Sequence, residues 1–379
     1  MDSNFPNHDV VTEILLHCPF TSLLRFRSVC KSWRDHIDSE PFRKSHIHHH
    51  ANDDRDDETL LVQFSFRKHG VPELSVFNGK LHNNSLPATQ EILDYHLKHG
   101  LDTREVDVRC ALISGPSSNG LICAYYRATD APIAVCNPSL GLTAILPLPP
   151  KPSSNHLHTL CREVAIWFDE VAQDYAVVQL LSCYGVSFHL HASVYSKATN
   201  SWKELSVGGS DVIARGLCVV FPISSRCKDG SFSHWLAFDE EGNEVIVSFD
   251  FRNEGFRVLK ITGFEILLRR GYKRIFAEGD DSFLVFNSGD QEEAKWLNMS
   301  WFRVEENRLQ LDRMKRVGTF NGLVITKALA LCERGCVVLE AENGCLVLYD
   351  YCNEKFLKCF EMESNVSMIF EYRGSFVLP

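Results

Sequence analysis

The chain has 379 residues, 45% of them hydrophobic and 23% charged, enough to bury a real core in one large domain with a small companion or in two to three medium domains. Its formal net charge of -10 excludes broad nucleic-acid binding, which needs a face of Lys and Arg to neutralise phosphates. No run of 18 or more apolar residues occurs and no apolar stretch follows a basic start, so the sequence predicts neither a membrane span nor secretion, and a place in the cytoplasm, the nucleus or both.

The first 69 residues contain no glycine, and all 22 glycines lie at Gly70 or later. Glycine marks tight turns, so this shift predicts a small helical module joined to a β-rich body. In the module, Asn7 or Asp9 is placed to cap a helix carrying Val10, Ile14 and Leu15. Pro19 forces Cys18 out of helical geometry and ends it. Thr21 or Ser22 then caps a second helix with Leu23, Leu24 and Phe26, and Val29, Cys30, Trp33 and Ile37 form the stripe of a third that closes near Pro41. Arg25, Arg27, Lys31 and Arg34 are either a steering surface for an acidic partner or a solvated helix face. The stretch "HIHHHANDDRDDE", His46 to Glu58, reads as a polar linker, which sets boundaries at 1–46, 47–58 and 59–379.

Farther along, Pro87 to Gly100 is expected to form one short helix with Ile92, Leu93 and Leu97 inward. "GPSSNG", Gly115 to Gly120, has the glycine spacing of a phosphate-binding loop, but Leu121 and Ile122 stand where Lys and Ser or Thr are required, so it is a turn leading into a strand. His156, His158, His189 and His191 alternate as on strand faces beside Cys161 and Cys183; surface or core histidines are the expected reading, with no metal. "LLRRGYKR", Leu267 to Arg274, is a local basic patch read as a solvated loop. The 14 cysteines are scattered from Cys18 to Cys359 without a C-x-x-C pair, as befits buried thiols in a reducing compartment rather than disulfides or zinc ligands. No cofactor is implied and no catalytic motif is found.

A repeat organises the rest. "FDFRNEGF", Phe249 to Phe256, and "YDYCNEKF", Tyr349 to Phe356, lie 100 residues apart, with "WFRVEENRL", Trp301 to Leu309, midway. "VYSKATNSW" from Val194, "VCNPSLGLTAIL" from Val135 and "LSVFNGKL" from Leu74 extend the series. A period near 50 predicts an all-β propeller-like domain of about six blades, its ring closed where the last strand lies beside the first. Tyr195 with Trp202, Phe249 with Phe256, and Tyr349 with Phe356 stand seven positions apart across a polar turn, a spacing that puts each pair opposite one another on a hairpin. The expected fold class is α+β multidomain.

Phe5 to His46 resembles the F-box of plant F-box proteins, in its early Pro, its Ile-Leu-Leu, the Pro after the first helix and its Val-Cys-Lys-Ser-Trp. It departs at Phe5-Pro6, where Leu-Pro is usual, and at Cys18-Pro19-Phe20, where Leu-Pro-Val is common. From about residue 100 onward, "GPSSNGLICAYY", "VCNPSLG", "LPLPP", "HWLAFDEEGNEVIVSFDFRNEGF" and "SFVLP" resemble the F-box-associated domain, with Lys295 to Val324 fitting poorly. The resemblance implies docking to the adaptor Skp1 and through it to a cullin, with Pro6, Val10, Ile14, Leu15, Pro19, Leu23 and Leu24 at or near that interface and Val29 and Trp33 holding the module together. It implies a non-catalytic receptor whose β domain binds an unidentified protein target, with no membrane or nucleic-acid partner. The alternatives are a propeller-fold lectin or enzyme with an incidental helical cap, and an F-box protein that works outside a ligase.

Overall fold

The computed structural model describes residues 8–51, 60–66, 72–77, 83–84, 111–126, 132–150, 160–183, 190–205, 217–225, 231–261, 272–288, 296–332, 335–360, 368–372 and 374–379. Four helices open the chain: α1 (His8–Leu16), α2 (Phe20–Phe26), α3 (Lys31–Ile37) and α4 (Glu40–Ala51). The fourth corrects the sequence reading, because the helical module does not close at Pro41 and the histidine run is helical. Ser39 explains the difference: its Oγ accepts from the Phe42 amide at 3.4 Å as an N-cap, and Pro41 sits in the first turn, where a missing amide hydrogen is harmless.

The strands follow in four-stranded antiparallel blades. Blade one takes β1 (Leu60–Phe66), β2 (Pro72–Phe77) and β3 (Asn83–Asn84); blade two takes β4 (Ala111–Ser118), β5 (Leu121–Tyr126), β6 (Ala134–Asn137) and β7 (Leu142–Ile145). Blade three is β8 (Leu160–Asp169), β9 (Asp174–Cys183), β10 (Leu190–Ser196) and β11 (Ser201–Leu205). Blade four is β12 (Cys218–Ser225), β13 (Phe232–Phe238), β14 (Glu244–Asp250) and β15 (Gly255–Ile261). Blade five is β16 (Lys273–Ala277), β17 (Ser282–Ser288), β18 (Leu297–Glu305) and β19 (Arg308–Val317). Blade six is β20 (Ile325–Cys332), β21 (Cys336–Ala341), β22 (Leu346–Asp350) and β23 (Lys355–Phe360). The last strand, β24 (Met368–Tyr372), pairs antiparallel with β1 and completes blade one, as the repeat predicted. Blades four and five are further joined by parallel pairing of β12 with β16 and of β15 with β19.

The repeat has a definite chemical cause. In the hairpin after β14, Asp250 accepts from the amides of Arg252 and Asn253 at 2.9 and 3.4 Å, and the Asn253 amide group reaches back to the same carboxylate at 2.6 Å. Asp350 repeats this with Cys352 and Asn353 at 3.0, 2.9 and 2.8 Å. Glu254 and Glu354 then take the left-handed conformation, at φ 48° and 59°, that turns the chain into the return strand. The turns fix the register, and the three aromatic pairs meet as predicted: Tyr195 opposite Trp202, Phe249 opposite Phe256, and Tyr349 opposite Phe356, with ring centroids 5.5, 4.7 and 4.8 Å apart. The hairpin of "WFRVEENRL" also forms, on Glu306 and Asn307 at φ 48° and 61°. "GPSSNG" ends β4 in a turn on Asn119 and Gly120, both at positive φ.

Core residues lie between the blades. Val164, Ile166 and Phe168 of blade three meet Leu121, Cys123 and Val135 of blade two, and Phe276, Leu284 and Phe286 of blade five meet Leu339 and Tyr349 of blade six. Between blades four and five lies His234, whose Nδ1 is 2.7 Å from the Ser248 hydroxyl and whose ring meets Phe283 edge-on at 5.1 Å. Burial, and then the Arg257 charge, press its pKa down to about 3, so the folded chain holds it neutral. Its unfolded pKa lies near 6.5. Below that value unfolding takes up a proton that the native state refuses. The stability contribution is therefore complete above about pH 6.5 and falls as the pH drops toward 3, by up to about 1.4 kcal/mol per pH unit. Denaturant titrations between pH 7 and 4 are expected to show this slope, and His234→Gln to reduce it; an equal slope in both chains would show that other groups carry it.

Candidate functional site

α1 spaces Val10, Val11, Ile14 and Leu15 so that they cover more than one face of the helix. Its inner face carries Leu15, 1% exposed, which joins Phe20, Leu23, Ile37 and Phe42 in a small core, with Val11, Leu24, Phe26 and Trp33 half-buried around it. Its outer face carries Val10 and Ile14, one turn apart and 50% and 59% exposed. Pro19 is exposed at the start of α2, with φ −55° and ψ 146°. α3 is capped by Cys30, whose sulfur accepts from the Trp33 amide at 3.4 Å.

Of the residues expected at a partner interface, Val10, Ile14 and Pro19 are on the surface and Leu24 is half-buried, while Pro6 falls outside the described residues. Leu15 and Leu23 are buried within the module, packed with Ile37 and Phe42. Val29 is placed differently from the expectation that it packs inside the module. It lies in the turn between α2 and α3 and is 62% exposed, so it does not hold the helices together. Trp33 does, meeting Phe26 edge-on at 5.5 Å.

The four basic residues divide. Arg27 grips Asp38 with two nitrogens at 2.8 and 2.9 Å, tying the end of α2 to the end of α3, and Arg34 Nε donates to the Arg27 carbonyl at 3.1 Å. Arg25 and Lys31 stay exposed. Two basic side chains of the module are thus left to the solvent on a protein whose formal net charge is -10. Partial burial raises the Cys18 thiol above its ordinary pKa.

Sequence reasoning missed four contributors to this site. Phe42 and His46, one turn apart on α4, close the core from below, and Ile47 of the same helix packs into the propeller. Phe376, from the far end of the chain, is 1% exposed and lies in the same core as Phe20 and Phe42. The signal for α4 was present in Ser39, Pro41 and the Phe42–His46 spacing; nothing local could have announced Phe376. Among the described residues no cluster of three or more His, Cys, Asp or Glu could hold a metal ion. His156, His158 and His189, the segment Pro87 to Gly100, and most of "LLRRGYKR" lie outside those residues, whereas its Lys273 is paired with Glu244 on β14.

Comparison with known proteins places both halves of the chain. The F-box domain family matches residues 3–45, and the F-box associated beta propeller domain family matches residues 61–274. Among relatives from Arabidopsis thaliana, a protein named for an F-box, At3g21120, is 26% identical over 265 residues, covering 67% of this chain and 64% of its own. F-box protein At3g08750 is 25% identical over 69% of this chain and 62% of its own, and F-box protein CPR1 is 26% identical over 66% and 59%. The chain thus spans about 60% of the length of the curated relatives it matches. A chain of the nidogen/laminin complex aligns over 84% of this chain and 99% of its own at 8% identity and a TM-score of 0.42, too distant to bear on function. The propeller match stops at residue 274, but blades five and six continue the same four-stranded pattern past it. With both domains matched in order and six blades behind four helices, the chain belongs to the F-box proteins that carry an F-box-associated β-propeller domain.

Proposed function

We propose that this chain is the substrate receptor of a Skp1, cullin and F-box ubiquitin ligase, acting in the cytoplasm or nucleus and catalysing no bond chemistry itself. The observation that carries the reading is the pair Val10 and Ile14, two aliphatic side chains one turn apart and half or more exposed on a helix whose other face packs into the module's core through Leu15 and, half-buried, Val11. Covering them with an adaptor removes apolar area from water at about 25 cal/mol per Å². Exposed Arg25 and Lys31 supply the charge that speeds encounter with an acidic partner. The propeller would hold the target, so that a target lysine and the ubiquitin-charged enzyme meet at high effective concentration. Family membership supports the adaptor role in outline; docking to Skp1 and the binding of a target protein by the propeller are the proposal.

The test uses Val10→Asp with Ile14→Asp in the full chain. Both positions face water, so thermal unfolding should stay within about 0.5 kcal/mol of the parent. Capture of a purified Skp1-type adaptor is expected to weaken by at least about 2 kcal/mol, roughly thirtyfold. Undiminished capture by a folded double variant would remove the docking assignment.

A further inference from the structure

Residues 374–379, which follow β24, do something that neither domain's own role calls for. Phe376 leaves the propeller and enters the helical module, where its ring meets Phe20 at 4.7 Å and His46 at 5.2 Å, both nearly edge-on, and Phe42 at 6.5 Å. It is 1% exposed, as buried as Leu15. The backbone on either side is held from blade two: the Asn137 side-chain amide, itself fully buried, donates to the carbonyls of Ser375 and Val377 at 2.9 and 2.8 Å. Lys197 of the blade-three turn donates to the Leu378 carbonyl at 2.6 Å, and the Ser375 hydroxyl donates to the Asn119 carbonyl. Tyr372, the last residue of β24, is pinned in turn, its hydroxyl 2.8 Å from the Ser139 hydroxyl and accepting from the Ser139 amide at 3.1 Å. Glycine is needed where the segment crosses α2, since a Cβ on Gly374 would stand 2.7 Å from the Phe20 ring and 2.9 Å from the Ser139 hydroxyl.

From this geometry we infer that residues 374–379 form a strap that completes the core of the F-box helices and fixes them on the turn-bearing rim of the propeller, so that the two domains move as one body. The module cannot close its core alone. Four short helices bury five large apolar side chains of their own, and the Phe376 ring fills the centre between Phe20, Phe42 and His46. A second contact acts in parallel, Ile47 of α4 packing with Val377 in the cluster between blades two and three. The strap therefore holds the helices from two sides with a segment that belongs to the propeller. The inference goes beyond the receptor reading and stands whether or not an adaptor binds.

The test is hydrogen exchange, followed by mass spectrometry, of the full chain with no partner added. Phe376→Ala is expected to reduce protection across α1 to α4 at least tenfold while β12 to β19, on the far blades, exchange as in the parent. Phe376→Leu keeps an apolar filler and is expected to restore most of that protection, which guards against a truncation that merely misfolds. Unchanged protection of the helices in Phe376→Ala overturns the strap. So does a loss in Phe376→Leu spread equally over helices and far blades, which would make the segment a general support of the ring.

Discussion

Leu23→Asp is expected to unfold the four N-terminal helices while leaving the blades folded. Leu23 is 0% exposed between Leu15, Ile37 and Phe42. Deleting its aliphatic bulk alone costs about 2–5 kcal/mol. A carboxylate at the same point has no partner there and adds the penalty for a buried charge, or forces the group to bind a proton. Together these exceed what a module of some 40 residues can spare. Hydrogen exchange over α1 to α4 measures the outcome directly, with the propeller strands as internal reference. Adaptor capture would vanish as well, so a binding assay alone could not tell this variant from Val10→Asp with Ile14→Asp. The difference is that the surface pair should lose binding with helix protection intact. Retained protection in Leu23→Asp would mean that the packing assigned to α2 is wrong.

The second large effect is expected in the fourth blade. Phe249 is fully buried, with Phe256 at 4.7 Å across the hairpin and Phe251 edge-on at 5.0 Å. Phe249→Ala leaves a cavity walled by Trp167, Val178 and Trp235 and should cost about 3–5 kcal/mol. Losing the ring pair adds about 0.5–1.5 kcal/mol within that range. Phe256→Ala should cost visibly less, because Phe256 is only half-buried. Denaturant midpoints of the two variants compare them. If Phe256→Ala proved the more damaging, the seven-residue spacing would be a matter of register and not of core packing.

Much of the propeller was legible because its information is local. The Asp-x-x-Asn turn and the flanking aromatics lie within eight residues, so Phe249 to Phe256 and Tyr349 to Phe356 specify turn, register and burial with no help from elsewhere. The blade count and the closure by β24 follow from repeating that unit. Within the helical module the limits of local information are plain. Leu15 and Ile14 are adjacent aliphatics on one helix, and only the position of Ile37 and Phe42 decides which of them is core and which is surface. Val29 looked like the start of an apolar stripe, yet the helix begins after Cys30, which caps it, and Val29 is left in the turn. The histidine run looked like a linker because it is polar, but a helix needs only one buried stripe, and Phe42, His46 and Ile47 provide it.

Because Phe376 lies in the same core as Phe20, residues 8–51 and 374–379 share a single folding unit. The helices leave the ribosome early, but the ring that finishes them is encoded about 350 residues later, a delay on the order of tens of seconds at ordinary rates of elongation. Over that interval Phe20, His46 and Phe42 lack the ring that packs against them in the finished fold. A ribosome that stalls before the final strand would release a chain with an unsealed head and an open ring, a product that quality control can recognise by one and the same defect.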